Sequence, residues 1–363
     1  MSEKILMKGN EAVAEAAIRA GCRLYFAYPI TPQSELIEYM AKTLPKVNGT
    51  FLQAESEVAA INMVYGAAGT GKRVMTSSSS PGISLKMEGI SYIAGANLPA
   101  VIINVQRGGP GLGDIQPAQG DYFQATKGGG HGDYRLIVIA PSSVQEFADS
   151  ASLAFDLADK YLNPVMILSD GLLGQMMEPV EFKPRVSDEE IEKHSEMHYD
   201  WCMRPNEDGP NHHHHEINSL EIDPEVLETH VNKLAEKYKK IEENEIRYEA
   251  YNINENNEMV CCAFGTAARI VKSAIDTLNS EGHNIGLIRP ITVWPFPTQA
   301  IADSIHDKVK NVMTFELNLG QMVEDVKLAV NGKVPVGFYG KVGGVVFTPE
   351  EIIEKIKENL GGK

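Results

Sequence analysis

Between residues 23 and 169 the chain alternates short β-rich runs with longer stretches of helical spacing, and that alternation restricts the fold more than any other feature. Strands are predicted over Arg23 to Ala27, Arg73 to Ser77, Ala100 to Val105, Leu136 to Ala140 and Val165 to Ser169. Helices are predicted between most of them, over Gly9 to Ala20, Pro32 to Leu44, Glu57 to Ala68, Ile83 to Ala94 and Ser142 to Lys160. Such a pattern gives an α/β fold with a largely parallel sheet covered by helices on both faces. Ligands of such sheets sit at the carboxyl ends of the strands.

After Pro184 the character changes. SDEEIEKHSEMHYD and WCMRPNEDGPNHHHHEINS are polar, turn-rich and weakly periodic, and read as an excursion. Asp223 to Glu243 then carries apolar residues at helical spacing, with Asp223 as N-cap and Pro224 in the first turn. From Met259 the alternation resumes, with strands at MVCCAFG, HNIGLIRPI, NVMTFEL and PVGFYG and helices starting near Thr266 and after Pro297 and Gly320. The expected division is a first unit over residues 1–184, an excursion and linker helix over 185–255, and a smaller α/β unit over 256–363.

Composition excludes several classes. With 33 basic against 49 acidic residues, the formal charge of −16 repels a phosphate backbone, so nucleic acid is not an expected partner. Apolar runs such as Pro99 to Val105 fall far short of the ~20 residues of a membrane span. The N-terminus lacks a basic region followed by an apolar segment and a cleavage site, which gives a cytoplasmic expectation. The four cysteines, at positions 22, 202, 261 and 262, have no spacing for a structural zinc or an iron–sulfur cluster. No metal ligand set is expected, and electron carriers for any redox chemistry belong on another chain.

The segment from Gly66 to Arg73 nearly spells a phosphate-binding P-loop. It lacks the hydroxyl residue after Lys72 and runs from helix to strand rather than strand to helix, so it reads as a helix end and turn. Adjacent imidazoles in His212 to His215 do not converge from a regular element and read as a solvated loop. Val105 to Gly113, VQRGGPGLG, follows a strand directly; Arg107 there is either a carboxylate clamp at the strand end or an ordinary loop arginine. His131 in KGGGHGD either contacts a substrate or caps a turn. In ESEVAAI, Ser56 caps a helix and Glu57 lies in its first turn, a favourable place for a carboxylate whatever its further use. Thr31 sits between two prolines in Tyr28-Pro-Ile-Thr-Pro32, which holds it extended at a strand end, with Pro32 expected to open the next helix.

YPITPQSE, QAESEVAAINMVYGAA, SSSSPGIS, VQRGGPGLG, DYFQATKGGGHGDYR, SDGLLGQMMEP and the ELNLGQM that begins at Glu316 occur in this order. Together they resemble the α subunit of the 2-oxoacid:ferredoxin oxidoreductases, most of all the branched-chain type that acts on 3-methyl-2-oxobutanoate. The resemblance implies a thiamine-enzyme pyrimidine-binding domain followed by a transketolase C-terminal-like domain. It implies that Glu57 hydrogen-bonds the aminopyrimidine of thiamine diphosphate, that Ser79 and Ser80 contact the cofactor, and that Thr31 and Arg107, with Tyr28 beside them, hold the 2-oxoacid.

No GDG with a downstream asparagine is present to hold magnesium and the diphosphate. The resemblance therefore implies half of an active site. A β subunit would complete it by binding thiamine diphosphate with Mg and an iron–sulfur cluster, beside a γ subunit, a ferredoxin-like δ subunit and external ferredoxin. Coenzyme A is the co-substrate, and the 4Fe-4S clusters belong to the partners alone. Alternatives are a 2-oxoglutarate:ferredoxin oxidoreductase α subunit, the pyrimidine-domain subunit of a lipoamide-linked dehydrogenase, or a non-catalytic assembly subunit.

Overall fold

Seven strands lie side by side in the order Thr292–Trp294, Ile137–Ile139, Pro164–Asp170, Ala100–Gln106, Val74–Ser78, Leu24–Ala27 and Thr50–Gln53. All neighbours are parallel except the first pair. The computed structural model describes residues 4–198, 200–203 and 215–360, so His212 to His214 lie outside the described residues. Every residue of the three central strands is buried, as a parallel sheet covered on both faces requires. Each fully buried valine or isoleucine there contributes roughly 1.5–3 kcal/mol.

A second sheet runs in the order Val336–Gly340, Asn311–Glu316, Met259–Cys262, Ile285–Pro290 and Tyr248–Tyr251, the last strand antiparallel. Arg289, on its Ile285–Pro290 strand, donates two hydrogen bonds to Glu146 of the helix Val144–Tyr161 beside the first sheet and one to Glu249. Thr292–Trp294 then crosses to the edge of the first sheet, and the Trp294 ring meets Tyr238 of the helix Pro224–Asn244 edge-on at 6.0 Å. That strand carries no periodic signal, being three residues long and flanked by Pro290 and Pro295.

Two local expectations are corrected. Pro32 does not open the next helix: that helix is Ser34–Thr43, with Gln33 as its N-cap and a cis Thr31–Pro32 bond before it. The segment read as weakly periodic after Pro184 contains a helix, Asp188–Glu196, started by a capping box in which Ser187 and Glu190 satisfy each other's backbone N–H. Elsewhere Glu57–Ala68 forms as expected, and the glycines after it make the helix end and turn before Val74–Ser78. Among the described residues no helix is long and apolar enough to cross a membrane.

Candidate functional site

Four adjacent parallel strands deliver their carboxyl ends to one place, and every residue expected from the sequence to act leaves from one of those ends. Tyr28 and Thr31 follow Leu24–Ala27, Glu57 follows Thr50–Gln53, Ser79 and Ser80 follow Val74–Ser78, and Arg107 follows Ala100–Gln106. This is where the topology of an α/β sheet opens a crevice.

Glu57 begins its helix because the Ser56 hydroxyl accepts the Ala59 N–H at 3.2 Å. Its side chain is held in a buried position against Gly82, near the start of the helix Ser80–Gly95. A Cβ on Gly82 would fall 2.1 Å from Ser78 Oγ and 2.8 Å from Glu57 Oε1, so only glycine leaves the carboxylate and the hydroxyl their shared space. The Ser78 and Ser79 hydroxyls are buried without hydrogen-bond partners. Unpaired buried hydroxyls are costly, and a polar ligand that reaches them recovers that cost.

Arg107 is buried and spans two loops: NH1 donates to the Thr31 carbonyl at 2.9 Å and NH2 to the Leu112 carbonyl at 2.9 Å, while Nε has no partner. Thr31 therefore meets Arg107 through its backbone, and both Thr31 and Tyr28 are exposed. Ser80 is already engaged within the chain. Its hydroxyl donates to Asp121 at 2.6 Å and accepts the Arg107 N–H at 3.1 Å, while Asn104 bonds both Ser80 N–H and Asp121. Burial pushes the Asp121 carboxyl above its ordinary range, with those hydrogen bonds opposing. Ser80 thus sets where Arg107 leaves the sheet. The following loop closes tightly, because a Cβ on Gly113 would lie 1.7 Å from the Gly108 carbonyl.

Sequence reading missed Lys86. It is fully buried on the helix that carries Gly82, one turn on, and Nζ donates to Thr76 Oγ1 at 2.6 Å and the Ser77 carbonyl at 3.0 Å. Burial pushes this ammonium down to about 7, opposed by the charge of Glu57. The Ser77 hydroxyl in turn bonds Tyr25 and the Gln33 side chain, both at 2.5 Å, so a buried polar chain joins Lys86 to the loop that presents Thr31. Ser78 was also missed; only its sequence position beside Ser79 hinted at it. His131 is exposed on its loop and is not brought to the site. Glu316 of ELNLGQM is buried and accepts the N–H groups of Met322 and Val323, which makes it a helix anchor.

Residues 15–250 match the family described as pyruvate flavodoxin/ferredoxin oxidoreductase, thiamine diP-bdg, and residues 257–352 match pyruvate:ferredoxin oxidoreductase core domain II. A ketoisovalerate oxidoreductase subunit VorB from Methanothermobacter thermautotrophicus is 48% identical over 98% of both chains. A 2-oxoglutarate synthase subunit KorA from Methanocaldococcus jannaschii is 36% identical over 95% of this chain and 97% of its own. Among solved structures, a 2-oxoglutarate:ferredoxin oxidoreductase from Magnetococcus marinus, with 2-oxoglutarate, coenzyme A and succinyl-CoA bound, superposes with a TM-score of 0.83. It is 29% identical, and the match covers 99% of this chain and 66% of that one. A buried carboxylate at a helix start, facing unpaired hydroxyls across a glycine, fits the aminopyrimidine of the cofactor that the family binds. With that fit and these full-length matches, the chain belongs to the 2-oxoacid:ferredoxin oxidoreductase family, as a subunit with the thiamine diphosphate-binding fold.

Proposed function

We propose that this chain is the α subunit of a coenzyme A-acylating, ferredoxin-reducing oxidoreductase whose preferred substrate is 3-methyl-2-oxobutanoate. The observation that carries the reading is the convergence of Glu57, Thr31, the unpaired Ser78 and Ser79 hydroxyls and Arg107 on four adjacent strand ends. Thiamine diphosphate, when bound, supplies the carbon nucleophile that attacks the 2-oxoacid and the sink for the electrons left by CO2. Glu57 would hold and move the proton at the aminopyrimidine nitrogen, and the unpaired Ser78 and Ser79 hydroxyls would be available to hydrogen-bond the same ring system. Ser80 serves the site by fixing Arg107.

Arg107 orients the substrate carboxylate from beside Thr31, whose exposed side chain hydrogen-bonds the reacting end of the acid. The loop that carries Arg107 offers Leu112 and Ile115 and no second cation among residues 107–117. An apolar branched acid is suited by that loop, whereas the distal carboxylate of 2-oxoglutarate lacks a charge partner there. Val58, Leu85, Leu112 and Ile115 are exposed on the segments that carry Glu57, Gly82 and Arg107. They suit a β subunit that brings the diphosphate and magnesium, with clusters on it and on γ and δ partners. As part of this reading, residues 1–184 would carry the pyrimidine site, 185–255 the excursion and linker helix and 256–363 the smaller unit, with Tyr248–Tyr251 added to the second sheet and Thr292–Trp294 to the edge of the first.

In the complex purified with its partners, a panel of 2-oxoacids with coenzyme A and a viologen acceptor should give 3-methyl-2-oxobutanoate at least a tenfold higher kcat/KM than 2-oxoglutarate, a difference of about 1.4 kcal/mol. The reverse order would move the assignment to the 2-oxoglutarate type, and reduction of lipoamide alone would overturn the ferredoxin reading.

Glu57→Gln should lower decarboxylation by about 10²–10⁴-fold while the complex still assembles, as read by single-turnover CO2 release and size-exclusion chromatography. Unchanged turnover would remove Glu57 from the chemistry.

Lys86 makes a pH prediction. Its folded value of about 7 lies below the ordinary 10.5, so between those pH values the unfolded chain binds more protons and stability rises with pH. Below pH 7 the full penalty of burying the ammonium remains. Denaturant unfolding of Lys86→Met should therefore show the largest gain over wild type near pH 6.5, shrinking toward pH 10. A gap that stays constant with pH would show that Lys86 is not buried as a titrating ammonium.

A further inference from the structure

Far from the crevice, the helix Asp188–Glu196 and the turn after it bring two histidines against the end of the helix Val144–Tyr161. His194 and His198 are four residues apart and share one side, where Asp159 meets them. His194 Nε2 lies 2.7 Å from Asp159 Oδ2, and His198 Nε2 lies 3.6 Å from Asp159 Oδ1. The three ligand atoms all fall within 4.8 Å of one another. His198 is only 3% exposed, and its Nε2, aimed at the carboxylate, has no hydrogen-bond partner. A buried ring nitrogen at 3.6 Å from an acceptor is too far for a hydrogen bond and well placed for an ion between the two.

We propose that Asp159, His194 and His198 form a zinc site that pins the Asp188–Glu196 helix to the body of the subunit. Two imidazoles and one carboxylate are a borderline ligand set that suits zinc and leaves calcium and magnesium, which take oxygen ligands, poorly served. Tetrahedral zinc with bonds of ~2.1 Å keeps its ligand atoms roughly 3.4 Å apart, so closure needs side-chain shifts on the order of 1 Å.

Charge supports the same conclusion. Arg73 pairs with Asp156 at 2.7 Å and Asp159 at 2.9 Å, and a third contact runs to the Ala20 carbonyl. One cation between two carboxylates leaves a negative charge beside two imidazoles. Arg73 also fixes the Asp159 carboxylate, as an outer partner of a ligand does. The rings are held in place, His198 edge-on to His194 at 5.0 Å and to Trp201 at 5.2 Å. A cleft of about 520 Å³ lined by Arg73, Asp156 and His194 opens beside the trio, on the His194 side. The sequence reading looked for cysteine pairs and the four-histidine tract, and passed over this HxxxH spacing.

The test uses the full-length chain with His212, His213 and His214 changed to serine, so that the tract cannot compete for the ion. After chelator treatment, zinc titration followed by elemental analysis should give one equivalent bound, with a melting-temperature rise that EDTA reverses. His194→Gln and His198→Gln, checked for folding by circular dichroism, should each weaken zinc binding at least tenfold. Cobalt substitution should give visible absorption bands of a four- or five-coordinate ion. Failure of the parent chain to take up zinc at micromolar concentration would overturn the proposal and leave the His194–Asp159 contact as a plain hydrogen bond. So would binding unchanged in both variants, or in whichever variant folds.

Discussion

One guanidinium closed against two backbone carbonyls holds the crevice in its shape. Arg107 joins the loop after the Leu24–Ala27 strand, through the Thr31 carbonyl, to its own glycine-rich loop, through that of Leu112. Its starting point is set by Ser80, whose hydroxyl is itself fixed by Asp121 and, through Asn104, by the central strand Ala100–Gln106. Charge-assisted hydrogen bonds of this kind are the strong ones, and here they are partly buried. The unpaired Nε is the part of the group not spent on the fold.

The second unit reaches the same place from the other side. Gln119 exchanges hydrogen bonds with Leu317 and donates to the Phe264 carbonyl, while Asn318 donates back to the Gln119 carbonyl. The chain that leaves Arg107 is thus anchored to the ends of the second sheet within twelve residues. Arg289 and Thr292–Trp294 make the complementary link at the far edge. Two sheets coupled at both ends position the glycine-rich loop without burying it, which leaves Leu112 and Ile115 exposed.

Much of this is legible in the sequence because local rules and the global fold agree. The helix over Glu57–Ala68 carries its own N-cap, so its start and the position of Glu57 follow from Ser56 alone. Where the reading failed, tertiary structure overrode local pattern. In the helix Ser80–Gly95, Leu85 is 54% exposed and Lys86 is fully buried, the inverse of an amphipathic helix, because the carboxyl end of Val74–Ser78 offers a hydroxyl and a carbonyl to the ammonium. Pro32 resembles a helix-opening proline, yet Gln33 starts the helix. The Gln33 side chain is drawn inward to Ser77. Three-residue strands and histidine–carboxylate pairs assembled from distant helices leave no period to read.

In the proposed reading Arg107 meets the substrate carboxylate. Steady-state kinetics of Arg107→Ala in the assembled complex tests it directly, with the 2-oxoacid and coenzyme A varied separately. The account predicts that KM for the 2-oxoacid rises at least tenfold while KM for coenzyme A stays within about twofold, consistent with loss of a charge-assisted pair of roughly 1.5–3 kcal/mol. A rise confined to coenzyme A, with the 2-oxoacid unaffected, would contradict it.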